Sequence, residues 1–234
     1  MSSYPSGRTR IRRVPELAKY DQDTLYQIID AAYVCHIAFY DGTSTHCIPT
    51  ACWRSGGHLY IHGSNGGRLM KLLSKGVEAS VAITHLDGLV LARSAFNHSM
   101  NYRSAVIYGQ FEQVIAEADK SAALDALMDK IAIGRKDEVR PGNSKETAAT
   151  IVLRVSLTEA AAKVRCGGPL DDAKDMQIGA WAGVLPLEQV QTTPMPDGKY
   201  SAIPKYVQEW GGSWPVICST ILAGLGIASS SHSE

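Results

Sequence analysis

The sequence predicts a mainly β protein with helices, built as an antiparallel barrel core of six to eight short strands with a few helices over it. Three observations predict this. Short β-rich runs recur along most of the chain, glycine-containing turns of hairpin type join them, and helical periodicity appears in only three stretches. So few helices cannot supply the crossovers of a parallel sheet.

Each element has its own signal. Residues 1–15 carry Arg8, Arg10, Arg12 and Arg13 ahead of any apolar pattern and read as a flexible basic arm. Asp21 is placed to cap a helix over 22–32, whose stripe Leu25, Ile28, Ile29 and Ala32 faces a core. Strand runs follow at 33–40, 46–54 and 58–62, separated by Asp41-Gly42 and Ser55-Gly56-Gly57. Pro49 inside the second run points to an edge strand or a bulge. A helix over 67–75 comes next, then strands at 77–84, 86–94 and 102–114, with Gly109 as a bulge position. A helix over 119–133, a polar loop over 134–148 and strands at 150–156 and 161–166 complete the pattern. The domain is set at 16–200, with a variable tail over 201–234.

Composition narrows the function classes. Lys+Arg and Asp+Glu both number 23, so bulk charge draws the chain to neither nucleic acid nor an acidic membrane. The longest apolar run, Pro215–Ala228, is too short and too rich in small residues to span a bilayer. Five cysteines without C-x-x-C spacing suit reduced thiols in a cytoplasmic protein.

The stretch Leu59–Leu73, LYIHGSNGGRLMKLL, reads as strand, glycine-rich turn and helix start. Such a corner offers backbone N–H groups and the cations Arg68 and Lys71 to an anion, although ordinary turns share this composition. It has neither dinucleotide nor P-loop glycine spacing. His58 and His62 lie about 13 Å apart along a strand face, too far for a two-histidine metal site, and no metal is expected. The stretch Thr84–Gly109 concentrates His85, Asp87, Arg93, Asn97, His98, Asn101, Tyr102, Arg103 and Ser104 around one hairpin. That density is costly unless the groups meet water or a polar ligand.

HLDGLVLARSAF-x-HS-x-NYRSAV-x-YG, downstream of LYIHGS-x-x-x-RLM, resembles the flavin-nucleotide-binding branch of the pyridoxamine 5′-phosphate oxidase-like superfamily, which includes nitroimidazole-resistance proteins. The opening RTRIRRVPELAKYD, the pair VCHIAFYDG and IPTACWR, and WAGVLPLEQV are also similar to it, so the resemblance runs over residues 8–200. It implies a split β-barrel of the FMN-binding type and a homodimer holding FMN at the subunit interface, with FAD or haem as alternatives. Ile48, Pro49, Thr50 and Ala51 would lie along the flavin ring. His62, Gly63, Ser64, Arg68 and Lys71 would hold the phosphate. Asn101, Tyr102, Arg103 and Ser104 would line the same cleft and Trp181 would close it. An FMN-dependent oxidoreductase acting on a small molecule follows, with His62 or Arg103 near the reacting edge; a flavin or haem carrier is the alternative, with His62 or His98 as haem ligand. Pyridoxamine-phosphate oxidation itself is disfavoured, because residues 200–234 contain no arginine where the founding enzyme ends in an arginine-rich segment.

Overall fold

A computed structural model of the chain describes residues 6–198 and 202–211; the run Pro215–Ala228, Cys218 and most of the expected tail lie outside the described residues. The described residues form two compact units. The first takes the stretch up to His85 and Arg103–Val164, the second Leu86–Tyr102 and the stretch from Arg165 on.

The first unit opens with β1 (Ala18–Lys19) and α1 (Gln22–Asp30). Asp21 Oδ1 accepts from Thr24 N at 2.8 Å, the expected cap, and Leu25, Ile28, Ile29 and Ala32 are buried. Next come β2 (Val34–Tyr40), β3 (Thr45–Ala51), β4 (Trp53–Ser55) and β5 (His58–Ser64). The single run expected over 46–54 is two strands because the chain changes sheets at Cys52, whose N–H donates to Tyr33 O at 3.1 Å. After α2 (Arg68–Leu73), β6 (Glu78–Leu91) and β7 (Ser99–Gln110) each belong partly to both units. The rest is β8 (Glu112–Gln113), α3 (Glu117–Ile131), α4 (Ser144–Ala149), β9 (Thr150–Ser156) and β10 (Ala160–Arg165). One sheet runs in the order β1-β10-β7-β6-β2-β3 and a second in the order β4-β5-β9-β8. The main core lies between them, with Ile37, Leu59, Ile61, Leu73, Val81, Ile107 and Leu153 essentially inaccessible. A smaller cluster of Trp53, Val114, Ala123 and Val152, with Leu124 and Leu127 beside it, packs α3 onto the second sheet.

Other expectations change as well. The loop over 134–148 contains the start of α4, fixed by a capping box between Asn143 and Glu146. The basic arm is tied down from Ser6 onward: Ser6 bonds Glu159, Arg8 pairs with Glu78 at 3.2 Å and lies over the Tyr108 ring, and Lys163 Nζ donates to Arg13 O at 2.9 Å.

In the second unit, β11 (Gly183–Pro186) pairs antiparallel with Gly88–Leu91, and α5 (Lys205–Gln208) follows. The break expected at residue 85 is absent: β6 runs unbroken from Glu78 to Leu91, and Gly88 within it marks a close approach, since a Cβ there would stand 3.0 Å from Leu185 O. Cys35, Cys47 and Cys52 carry free thiols, whereas Cys166 is disulfide-bonded, which corrects the all-reduced expectation. No helix among the described residues is long and apolar enough to cross a membrane.

Candidate functional site

The corner expected at Leu59–Leu73 forms in the first unit. β5 extends through Gly63 and Ser64, and its chain then turns sharply: Gly67 N donates to Ser64 O at 2.9 Å and Gly66 N to Ser64 Oγ at 3.2 Å. Asn65 N is fixed on Ala149 O at 2.9 Å. Glycine leaves room for close contacts here. A Cβ on Gly63 would stand 2.9 Å from Met70 Cγ, and one on Gly67 would stand 3.1 Å from Ser64 O. Gly67 precedes α2 with no side-chain cap; Ser64 and Arg68 are exposed around that end, and Lys71 is exposed in the helix's last turn. First-turn N–H groups left without an internal partner can take an anion.

Arg68 brings β3 to this corner. Its Nη2 bonds Asp41 Oδ2 and lies 2.9 Å from His46 Nε2, which in turn lies 2.9 Å from Asp41 Oδ2. Asp41 also accepts from Ser44 N at 2.8 Å and Thr43 N at 2.9 Å. These backbone donors foremost, then His46 and Arg68, hold its carboxyl below the usual carboxylate range. Ile48, Pro49, Thr50 and Ala51 continue along β3, with Ile48 and Thr50 half-buried and Pro49 and Ala51 exposed. The ladder to β2 runs unbroken from Val34↔Ala51 to Tyr40↔Thr45. Pro49 therefore marks an edge strand without a bulge, since β3 ends its sheet.

His62 points elsewhere. Leu59 and Ile61 of β5 enter the main core, so the alternation puts Tyr60 and His62 on the other face, beside Trp53. The Trp53 ring stacks on Tyr60 at 5.8 Å and meets His62 at 5.7 Å, tilted by 60°. His62 Nδ1 and Trp53 Nε1 are buried without a hydrogen-bond partner in the protein. Burial lowers the His62 pKa from the ordinary 6.5, so the ring is neutral at neutral pH. The sign follows from linkage. The unfolded chain takes up this proton at a higher pH than the folded one, so folding stability falls as pH drops below 6.5. Asp21, Asp41 and Asp171, all lowered below the ordinary 3.8, act only at more acid pH. Urea unfolding at about pH 7.5 and about pH 5.5 should show this loss in the wild type and a smaller one in His62→Gln.

The other expected residues divide between the units. In the first, Arg103 is half-buried on β7 and Ser104 Oγ donates to Lys163 O at 3.3 Å, a bond between neighbouring strands. In the second, Asn101 is buried; its Nδ2 donates to Gly167 O at 3.1 Å and its Oδ1 accepts from Arg165. That arrangement fastens backbone, since Arg165 also donates to Gly168 O at 3.1 Å. Tyr102 is half-buried, and the exposed Trp181 ring lies against Gly183. His98 is exposed, with Nδ1 placed to donate to Ser94 O at 2.9 Å. Among the described residues, no group of three or more His, Cys, Asp or Glu is arranged to hold a metal ion.

Sequence reasoning overlooked Asp41, His46, Arg165 and Asp171. Asp171 accepts from Arg93 N at 2.8 Å and from its Nη1 at 2.9 Å, which explains an arginine in an apolar pattern. The only sequence signal for that pair was the misplaced Arg93 itself.

Residues 21–164 match the family described as pyridoxamine 5′-phosphate oxidase. The chain belongs to the pyridoxamine 5′-phosphate oxidase family. The match to this family covers the corner, β3, His62 and the Asp41–His46–Arg68 cluster. The flavocytochrome Anf3 from Azotobacter vinelandii is similar at 37% identity and a TM-score of 0.83, over 88% of this chain and 97% of that one. A FAD and haem binding protein from Mycobacterium smegmatis is similar at 33% identity and a TM-score of 0.80, over 84% and 98%. A candidate 5-nitroimidazole antibiotic resistance protein from Bacteroides thetaiotaomicron, at 20% identity and a TM-score of 0.52 over 63% and 86%, shares the fold. No curated protein matches the chain. The fold is thus the split β-barrel of the FMN-binding type, and the resemblance read from the sequence holds.

Proposed function

We propose that this chain binds a flavin nucleotide together with haem and works as a flavin-dependent oxidoreductase on a small molecule, as a homodimer. The observation that carries this reading is the pair of relatives at 37% and 33% identity, matched over 97% and 98% of their lengths, one a flavocytochrome and the other a FAD and haem binding protein.

The residues present fit both groups. For a flavin phosphate, the uncapped end of α2 supplies N–H donors and Arg68 and Lys71 supply charge. Arg68 spends one terminal nitrogen on Asp41 and keeps further donors on an exposed guanidinium. The β3 edge, from Ile48 to Ala51, offers the ring an apolar strip with backbone groups beside it. For haem, His98 is better prepared than His62. Its Nδ1–H on Ser94 O fixes the ring and leaves Nε2 as the ligating nitrogen. Arg103 is proposed near the reacting edge, whereas His62, kept neutral by burial beside Trp53, faces away from this corner.

Bound flavin would supply the electron transfer, while the protein supplies position and electrostatics. Purified protein should show both flavin and Soret absorption. His98→Ala should lose the Soret band and keep the flavin. A protein that is colourless and takes up neither group overturns the proposal. Anaerobic reduction by NADH or NADPH separates an oxidoreductase from a carrier, and light scattering reads the dimer.

A further inference from the structure

The turn between β5 and α2 holds an asparagine followed by a glycine, Asn65-Gly66, the one such pair in the sequence. Both residues are exposed. Unlike Gly63 and Gly67, Gly66 answers no close contact. A Cβ there would stand 3.6 Å from Ser64 Oγ, an ordinary distance, and its φ is not positive. The fold therefore accepts a small side chain at this position, and what glycine brings is an unshielded nitrogen next to the Asn65 amide. That nitrogen donates to Ser64 Oγ at 3.2 Å, a side-chain bond that opens without breaking a helix or strand ladder. The Asn65 amide is held through Nδ2 on Ala148 O at 3.4 Å, the long end of hydrogen-bond range. The other asparagines differ. They precede His98, Tyr102 and Ser144; Asn101 is buried with both amide atoms bonded, and Asn143 is locked in the capping box of α4.

We propose that Asn65 is a site of spontaneous deamidation and that the product weakens the hold of this corner on an anion. Gly66 N bonds to Asn65 Cγ and gives up its proton; the Cγ–Nδ2 bond breaks, ammonia leaves carrying that proton, and a five-membered imide closes. Water then opens the imide at either carbonyl, giving aspartate or its β-linked isomer. Nothing is oxidised or reduced, and water is the sole co-reactant. Either product sets a carboxylate in the turn that leads to Arg68, and the β-linked one also adds a carbon to the backbone there. A new negative charge beside the cation opposes an incoming anion. The modification stands on the turn alone, whereas its effect on flavin rests on the reading above.

The full chain is aged in mildly alkaline buffer, digested and mapped by peptide mass and chromatography. Asn65 should appear as the acid and its β-linked isomer, with Asn97, Asn101 and Asn143 intact. Gly66→Ala should suppress the change, because a methyl group beside the attacking nitrogen hinders ring closure while the turn has room for it. Should that variant fail to fold, Asn65→Gln serves, since a six-membered ring closes far more slowly. Asn65→Asp, standing in for the product, should bind flavin about threefold more weakly than the wild type. An Asn65 that keeps its amide in the folded chain, while the same peptide released by protease loses it in that buffer, overturns the modification. Unchanged affinity in Asn65→Asp overturns its effect on the corner. A wild type that takes up no flavin removes the flavin reading together with that effect, and the peptide result still decides the modification.

Discussion

Replacing Arg68 with alanine is expected to weaken flavin binding by about a hundredfold. Loss of one charge-assisted hydrogen bond to phosphate accounts for roughly 1.5–3 kcal/mol, or about ten- to a hundredfold. A second effect adds to it. Arg68 is the partner that neutralises Asp41, so its removal leaves a carboxylate, still held by Thr43, Ser44 and His46, facing the incoming phosphate. The two effects make the cycle non-additive. Asp41→Asn in the Arg68→Ala background should recover part of the loss, whereas in the wild type it acts on a cation already present. Arg68→Lys should fall between, since an ammonium restores charge without the planar fork. Titration of flavin into the four proteins of the cycle reads this directly. A loss below about threefold in Arg68→Ala would take the residue out of the phosphate site.

The Asp41–Arg68 contact also shows what the sequence could and could not reveal. Signals that act within a few residues were legible. Asp21 caps α1 through Thr24 three residues on, the stripe Leu25, Ile28 and Ile29 is buried, and the turn at Gly66-Gly67 forms where its composition places it. Contacts made across the sheets were not. Asp41 and Arg68 are 27 residues apart, and in sequence Asp41 is only half of a hairpin turn. Arg93 and Asp171 are 78 apart. One break was drawn where there is none. The strands expected over 77–84 and 86–94 are a single β6, and Gly88 within it sits where the β11 backbone comes close. The strand face of His62 was legible in principle from the alternation of Leu59 and Ile61, yet nothing local tells which face carries α3.

That face is where the largest loss of stability is expected. Trp53 is wholly buried, on one side against Val114, Ala123 and Val152 and on the other stacked on Tyr60. Trp53→Ala would open a large cavity between α3 and the second sheet and should cost about 3–5 kcal/mol, read from the midpoint of urea unfolding. Trp53→Phe should cost far less. The indole Nε1 has no partner in the protein, so its loss breaks no hydrogen bond and removes an unpaired buried donor, offsetting the smaller ring. The same substitutions report on His62, whose ring leans on Trp53 at 5.7 Å. With alanine at 53, water reaches Nδ1, the burial that lowers the His62 pKa is relieved, and the loss of stability below pH 6.5 should flatten toward that of His62→Gln. Phenylalanine keeps the ring covered and should keep the pH dependence. If Trp53→Ala left the slope between about pH 7.5 and about pH 5.5 unchanged, the neutral state of His62 would have to come from something other than this packing.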